Sequence, residues 1–91
     1  MTEDMIHAVL ESLGSTSDEV AATLLAMGCK GTQCDGCGCP VAKALERAFP
    51  GESPSVDAEE VDVGPFSVAT TKAVGEFVSG FDLGHYQELV A

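Results

Sequence analysis

The chain has no tryptophan, one tyrosine and four phenylalanines in 91 residues. Its core must therefore be built from Leu, Val, Ile, Ala and those few rings. Basic residues are scarce as well: four Lys and Arg stand against fifteen Asp and Glu, a formal net charge of −11. The first 29 residues carry no Lys or Arg at all. Each phosphate contact made by a nucleic-acid-binding or lipid-docking protein needs such a residue, so neither direct nucleic-acid binding nor membrane binding is expected. No apolar run approaches the roughly 18 residues of a bilayer span. The acidic opening Met1-Thr2-Glu3-Asp4 is unlike the basic start of a secretory signal. The expected location is cytoplasmic, where thiols stay reduced. With two histidines, no Gly-x-Ser-x-Gly and no His placed near a Cys in sequence, no hydrolase or transferase constellation is visible, and an enzyme is not expected.

What is present suits one domain, 1–91, since a chain of this length is too short for two independent cores. A core this small supplies roughly 3–5 kcal/mol unless a metal, a disulfide or a homodimer partner staples it. Ile6, Val9, Leu10 and Leu13 recur at helical spacing and predict a helix over 3–13, capped by Thr2 and closed by Gly14. Thr16-Ser17-Asp18-Glu19 reads as a capping box opening a second helix to Met27, with Gly28 as its stop. The two are expected to form an antiparallel hairpin, with Met27 as core filler. Pro40 suits the first turn of a third helix, along which Val41, Ala44, Leu45, Ala48 and Phe49 are apolar. Glu60-Val61-Asp62-Val63 alternates with period two and predicts a half-buried strand, with 53–57 as its hairpin partner. A helix capped by Thr70 or Thr71 follows, then a short last turn in which Leu83, Tyr86 and Leu89 pack back. The fold class expected is α+β: three N-terminal helices, a short β-ribbon, and one or two C-terminal helices.

All four cysteines fall in one loop, Cys29, Cys34, Cys37 and Cys39, with the spacing C-x4-C-x2-C-x-C. Four thiolates within eleven residues can chelate zinc tetrahedrally, and the first three match the opening of plant-type iron–sulfur loops. Against a metal, structural sites join two separated pieces of chain, whereas one loop ties only itself. Thiol–disulfide chemistry at Cys37 and Cys39 is a further reading, opposed by the negative surroundings and the strain of a C-x-C ring. The alternative is that reduced, partly buried cysteines serve as small hydrophobes around a glycine-rich turn. The expectation carried forward is a folded protein without stoichiometric metal or other cofactor, with a four-cysteine zinc or iron–sulfur module as the alternative.

The second candidate site is the acidic run Asp57, Glu59, Glu60 and Asp62, expected at the edge of the ribbon. Acidic proteins suit basic partner surfaces, and an edge adds backbone donors and acceptors. The function expected is a small interaction module that binds a basic protein surface through these four carboxylates.

Asp18-Glu19-Val20-Ala21, Gly28, Cys39-Pro40-Val41-Ala42 and Leu45, followed by Phe77-Val78, Phe81-Asp82, Gly84, Tyr86 and Glu88-Leu89, resemble a group of small proteins of actinobacteria and their phages. That group shares a Cys-Pro-Val/Ile-Ala helix start and a closing Phe-Asp-x-Gly-x-Tyr turn. The resemblance implies that Cys39 caps or packs a helix while Cys29, Cys34 and Cys37 are particular to this chain. It implies no activity, and it is compatible with a phage-encoded modulator.

Overall fold

Three threonines start three of the four α-helices in the computed structural model, which describes residues 2–91. Thr2 accepts the Met5 N–H at 3.2 Å and opens α1 (Glu3–Ser12). Thr16 accepts the Glu19 N–H at 3.2 Å and opens α2 (Ser17–Met27). Thr71 accepts the Val74 N–H at 3.2 Å and opens α4 (Lys72–Asp82). A hydroxyl oxygen of this kind satisfies a backbone donor that the helix itself leaves orphaned. The Glu19 carboxylate reaches back to the Ser15 N–H at 2.8 Å, one residue before the position a strict capping box would use. The remaining helix, α3 (Pro40–Ala48), is opened by a sulfur: the Cys39 thiol accepts the Ala42 N–H at 3.4 Å.

Between α3 and α4 lies a three-stranded antiparallel meander, β1 (Ser55–Val56), β2 (Glu60–Val63) and β3 (Phe66–Ala69), in the order β1-β2-β3. The architecture is α+β, with four helices and this sheet. The pattern of the sequence predicts only a two-stranded ribbon, and Phe66–Ala69 is a third strand beyond it. Val63 pairs with Phe66 across Gly64-Pro65, and Gly64 has a φ of +58°. Proline cannot supply a second positive φ, so this two-residue hairpin is of the kind that needs one only at its first central residue. After α4 the chain makes a short 3₁₀ turn at Gln87–Leu89 rather than a further α-helix.

The sheet buries Val56, Val61, Val63 and Val68 on one face. Ile6 and Leu10 of α1, Val20 and Leu24 of α2, Val41 and Leu45 of α3, and Phe77 and Phe81 of α4 meet them in one cluster. The rings of Phe77 and Phe81 stack with centroids 5.8 Å apart, and Tyr86 approaches Phe77 to 5.0 Å. These contacts let three rings do most of the aromatic filling in a core that has no tryptophan.

The expected helical hairpin is not formed. The chief neighbour of α2 is α4, and α1 lies against β3 and α3. Each of the first two helices carries only a narrow apolar stripe, and the phenylalanines of α4 and the valines of the sheet offer it more area than the other helix does. In consequence Met27 and Leu25 are turned outward, and Leu83, expected to pack back, is 74% exposed. Leu89 is fully buried, as expected of it.

Candidate functional site

The cysteine loop is held by backbone and carboxylate contacts rather than by its sulfurs. The Gly31 N–H donates to the Leu89 carbonyl at 2.9 Å, and the Ala91 N–H returns to the Gly31 carbonyl at 2.9 Å, which makes a short parallel bridge to the C-terminal segment. The Cys34 N–H donates to Oδ1 of Asp82 at 2.8 Å, and the Gln33 amide to the Phe81 carbonyl at 3.0 Å, so the loop also caps the end of α4. The Gly36 carbonyl accepts the Val56 N–H at 2.9 Å, covering the outer side of β1. Inside the loop Oδ1 of Asp35 accepts the N–H groups of Cys37 and Gly38, at 3.1 and 3.2 Å. Cys34 is the one described non-glycine residue with positive φ, at 57°.

Close approach explains the glycines. A Cβ on Gly31 would stand 2.1 Å from the Gly38 carbonyl oxygen, and one on Gly38 would stand 2.7 Å from the Asp35 carboxylate. The four sulfurs separate into two kinds. Cys29 and Cys39 are buried, Cys34 and Cys37 exposed, and all four are free thiols. Burial pushes the Cys39 thiol above its ordinary pKa, although the N–H groups of Ala42 and Val41 pull the other way. Burial does the same for Cys29, opposed by the Arg47 guanidinium. Raised thiols are poor nucleophiles and poor ligands at neutral pH. Among the described residues, no group of three or more His, Cys, Asp or Glu side chains is arranged to hold a metal ion.

The acidic residues, by contrast, are brought together. Asp57 and Glu59 lie in the β1–β2 turn, and Glu60 and Asp62 point to the solvent side of β2, where all four are exposed. Oδ1 of Asp57 accepts the N–H groups of Glu59 and Glu60 at 2.8 and 2.7 Å, which fixes the turn. Asp62 accepts from the Ser67 hydroxyl on the neighbouring strand. The expected edge position is corrected, because β2 is the central strand and its backbone is paired on both sides. Sequence reasoning missed β3, and without β3 the strand β2 looks like an edge. Backbone pairing with a partner is thus unavailable at Glu60 and Asp62, and only their side chains can be read from outside.

Neighbouring like charge marks this face. Asp62, then a smaller loss of solvation and a hydrogen bond to Asp62, then Asp57 and Glu59 raise the Glu60 carboxyl above its ordinary value. None of the four makes an ion pair within 4.0 Å: the one ion pair among the described residues is Lys72 with Glu76, at 3.9 Å. A carboxyl whose pKa is raised on folding is held protonated more tightly by the native state, so it favours the fold in acid and loses that contribution as pH rises through the raised pKa. Glu60→Gln, which resembles the protonated acid, should therefore raise the melting temperature at about pH 7, with the gain vanishing below the ordinary glutamate range of about pH 4. Melting curves at both pH values check this, and an unchanged or lower melting temperature at neutral pH would show that the repulsion is relieved by solvent.

No helix among the described residues is long and apolar enough to cross a membrane. No protein-family model matches the chain, and comparison with curated proteins and with solved structures likewise finds no match.

Proposed function

We propose that the protein is a small acidic interaction module, non-catalytic and cytoplasmic, whose exposed sheet face engages a basic protein surface. The observation that carries this reading is the set of four carboxylates, Asp57, Glu59, Glu60 and Asp62, gathered without an ion pair within 4.0 Å. Like charges side by side on a sheet are mildly destabilising, and a basic partner would remove that cost on docking. Such a surface also steers association at long range, giving a rate that falls as salt rises. Docking is through side chains, with Ser67 and Asp62 adding hydrogen-bonding capacity, rather than by strand addition at β2.

The variant Asp57→Asn, Glu59→Gln, Glu60→Gln, Asp62→Asn tests it. Asparagine at position 57 keeps the oxygen that accepts the two turn N–H groups, so the hairpin should persist. Each exposed change should alter stability by no more than about 0.5 kcal/mol. Affinity capture from native host extract, comparing wild type with this variant at low and high salt, is expected to recover a basic partner only with wild type and only at low salt. Equal recovery by both proteins would place the interface elsewhere.

A further inference from the structure

Four cations serve the whole chain, and three of them line one cleft. Lys30, Lys43 and Arg47, with Gly28, Cys29 and Glu46, surround a cavity of about 350 Å³ between the end of α2 and the outer face of α3. Lys43 and Arg47 are one helical turn apart on α3, so they share a face. Lys30 arrives from the loop just past the Gly28 cap of α2. Arg47 is fixed across the cleft because its Nη1 donates to the Met27 carbonyl. That contact satisfies an orphan carbonyl and suits the negative end of α2. It accounts for Arg47 and leaves both lysines over. Neither Lys30 nor Lys43 makes an ion pair within 4.0 Å among the described residues, although Glu46 lines the same cleft.

We infer that this cleft binds a small phosphate-bearing compound, with Lys30 and Lys43 as its charged contacts and Arg47 as an ordered wall. Two unpaired ammonium groups beside a guanidinium suit a compact anion carrying two charges better than a single carboxylate. The volume lies at the small end of the range of roughly 300–1,000 Å³ for small-molecule sites. Size also decides against larger ligands. A nucleic acid or an anionic membrane would extend beyond the cleft and meet the fifteen carboxylates of the surface. A compact ligand stays within about 8–10 Å of the three cations, where salt screens the more distant acidic groups. This site is separate from the acidic sheet face, and its success or failure leaves that reading untouched.

The test uses the full chain, ¹⁵N-labelled, titrated with inorganic phosphate and separately with glucose 6-phosphate, with sodium chloride as a control at matched ionic strength. Saturable amide shifts are expected at Gly28–Lys30 and Lys43–Arg47, and not on β2. The tighter of the two probes tells free phosphate from its ester as the natural kind of ligand. Lys30→Gln and Lys43→Gln each leave the Arg47 cap in place and should weaken binding by about tenfold or more, with melting temperature as the check that the variants remain folded. Shifts that do not saturate, that chloride reproduces, or that survive both folded lysine variants would overturn the proposal.

Discussion

Gly31→Ala is expected to lower the melting temperature by roughly 12–24 °C, or to prevent folding. The added Cβ would lie 2.1 Å from the Gly38 oxygen and 2.7 Å from both the Cys39 carbonyl carbon and the Pro40 nitrogen. All three are backbone atoms, so no side chain can swing aside. Relief would require the loop to part, breaking its bonds to Leu89 and Ala91 on one flank or the Thr32 N–H bond to Gly38 on the other. A cost of about 3 kcal/mol follows from forced overpacking of this kind, and each kcal/mol is worth about 4–8 °C in a domain of this size. Gly28→Ala is the contrast. Nothing stands within 4 Å of its Cβ, but its φ of +71° is left-handed. That variant should lose only about 1–2 kcal/mol, from backbone strain. Thermal melts of both separate the two causes, and a Gly31→Ala protein that melts within a few degrees of wild type would mean the loop is not packed as described.

Phe77→Ala should destabilise by about 3–5 kcal/mol, the usual cost of removing a buried ring and leaving its cavity. Phe77 is fully buried and contacts two further rings, Phe81 and Tyr86. Set against the roughly 3–5 kcal/mol that a core of this size supplies, the loss is most of the protein's stability or all of it. Urea unfolding should show the midpoint falling with little change in slope. Leu83→Ala, on the same helix but 74% exposed at its C-cap, should move the midpoint by no more than about 0.5 kcal/mol equivalent. Comparable losses from the two would contradict the orientation of α4.

Much of this fold was legible because its signals are local. Thr2 and Thr16 announce helix starts through chemistry that involves only the next few residues, and the pair Thr70-Thr71 does so to within one position, the structure choosing Thr71. Val61 and Val63 alternate with Glu60 and Asp62 strongly enough to reveal β2, and Pro40 marks its helix by fixed geometry. The failures concern partners. Phe66 and Val68 repeat only twice, and Gly64-Pro65 lacks the asparagine- or aspartate-glycine signature of the commonest tight hairpin, so β3 passed unnoticed. The misplaced sheet edge followed from that single omission. Helix pairing is decided by which surface buries more area, and the stripe of Val20 and Leu24 does not record that Phe77 and Phe81 await it some fifty residues later. The four carboxylates were visible as a run, yet their shared solvent face depends on the turn that Asp57 caps. The cationic cleft had no sequence signal beyond rarity, since Lys30 and Lys43 meet only when the ends of α2 and α3 are brought together.

The bridge between Gly31 and Val90 links positions about sixty residues apart, a closure whose entropic cost must be met before its bonds can form. A ribosome releases the chain in order, so residues 29–39 emerge long before the segment that ties them down. Until residues 89–91 have left the exit tunnel, the Gly31 peptide has water in place of Leu89 and Ala91, and Cys34 lacks the Asp82 carboxylate. The bonds that hold the loop therefore wait on this late segment, and the shelter of Cys29 and Cys39 is a property of the folded chain. Folding thus withdraws only Cys29 and Cys39 from oxidation or metal capture, whereas Cys34 and Cys37 stay accessible after the bridge has formed.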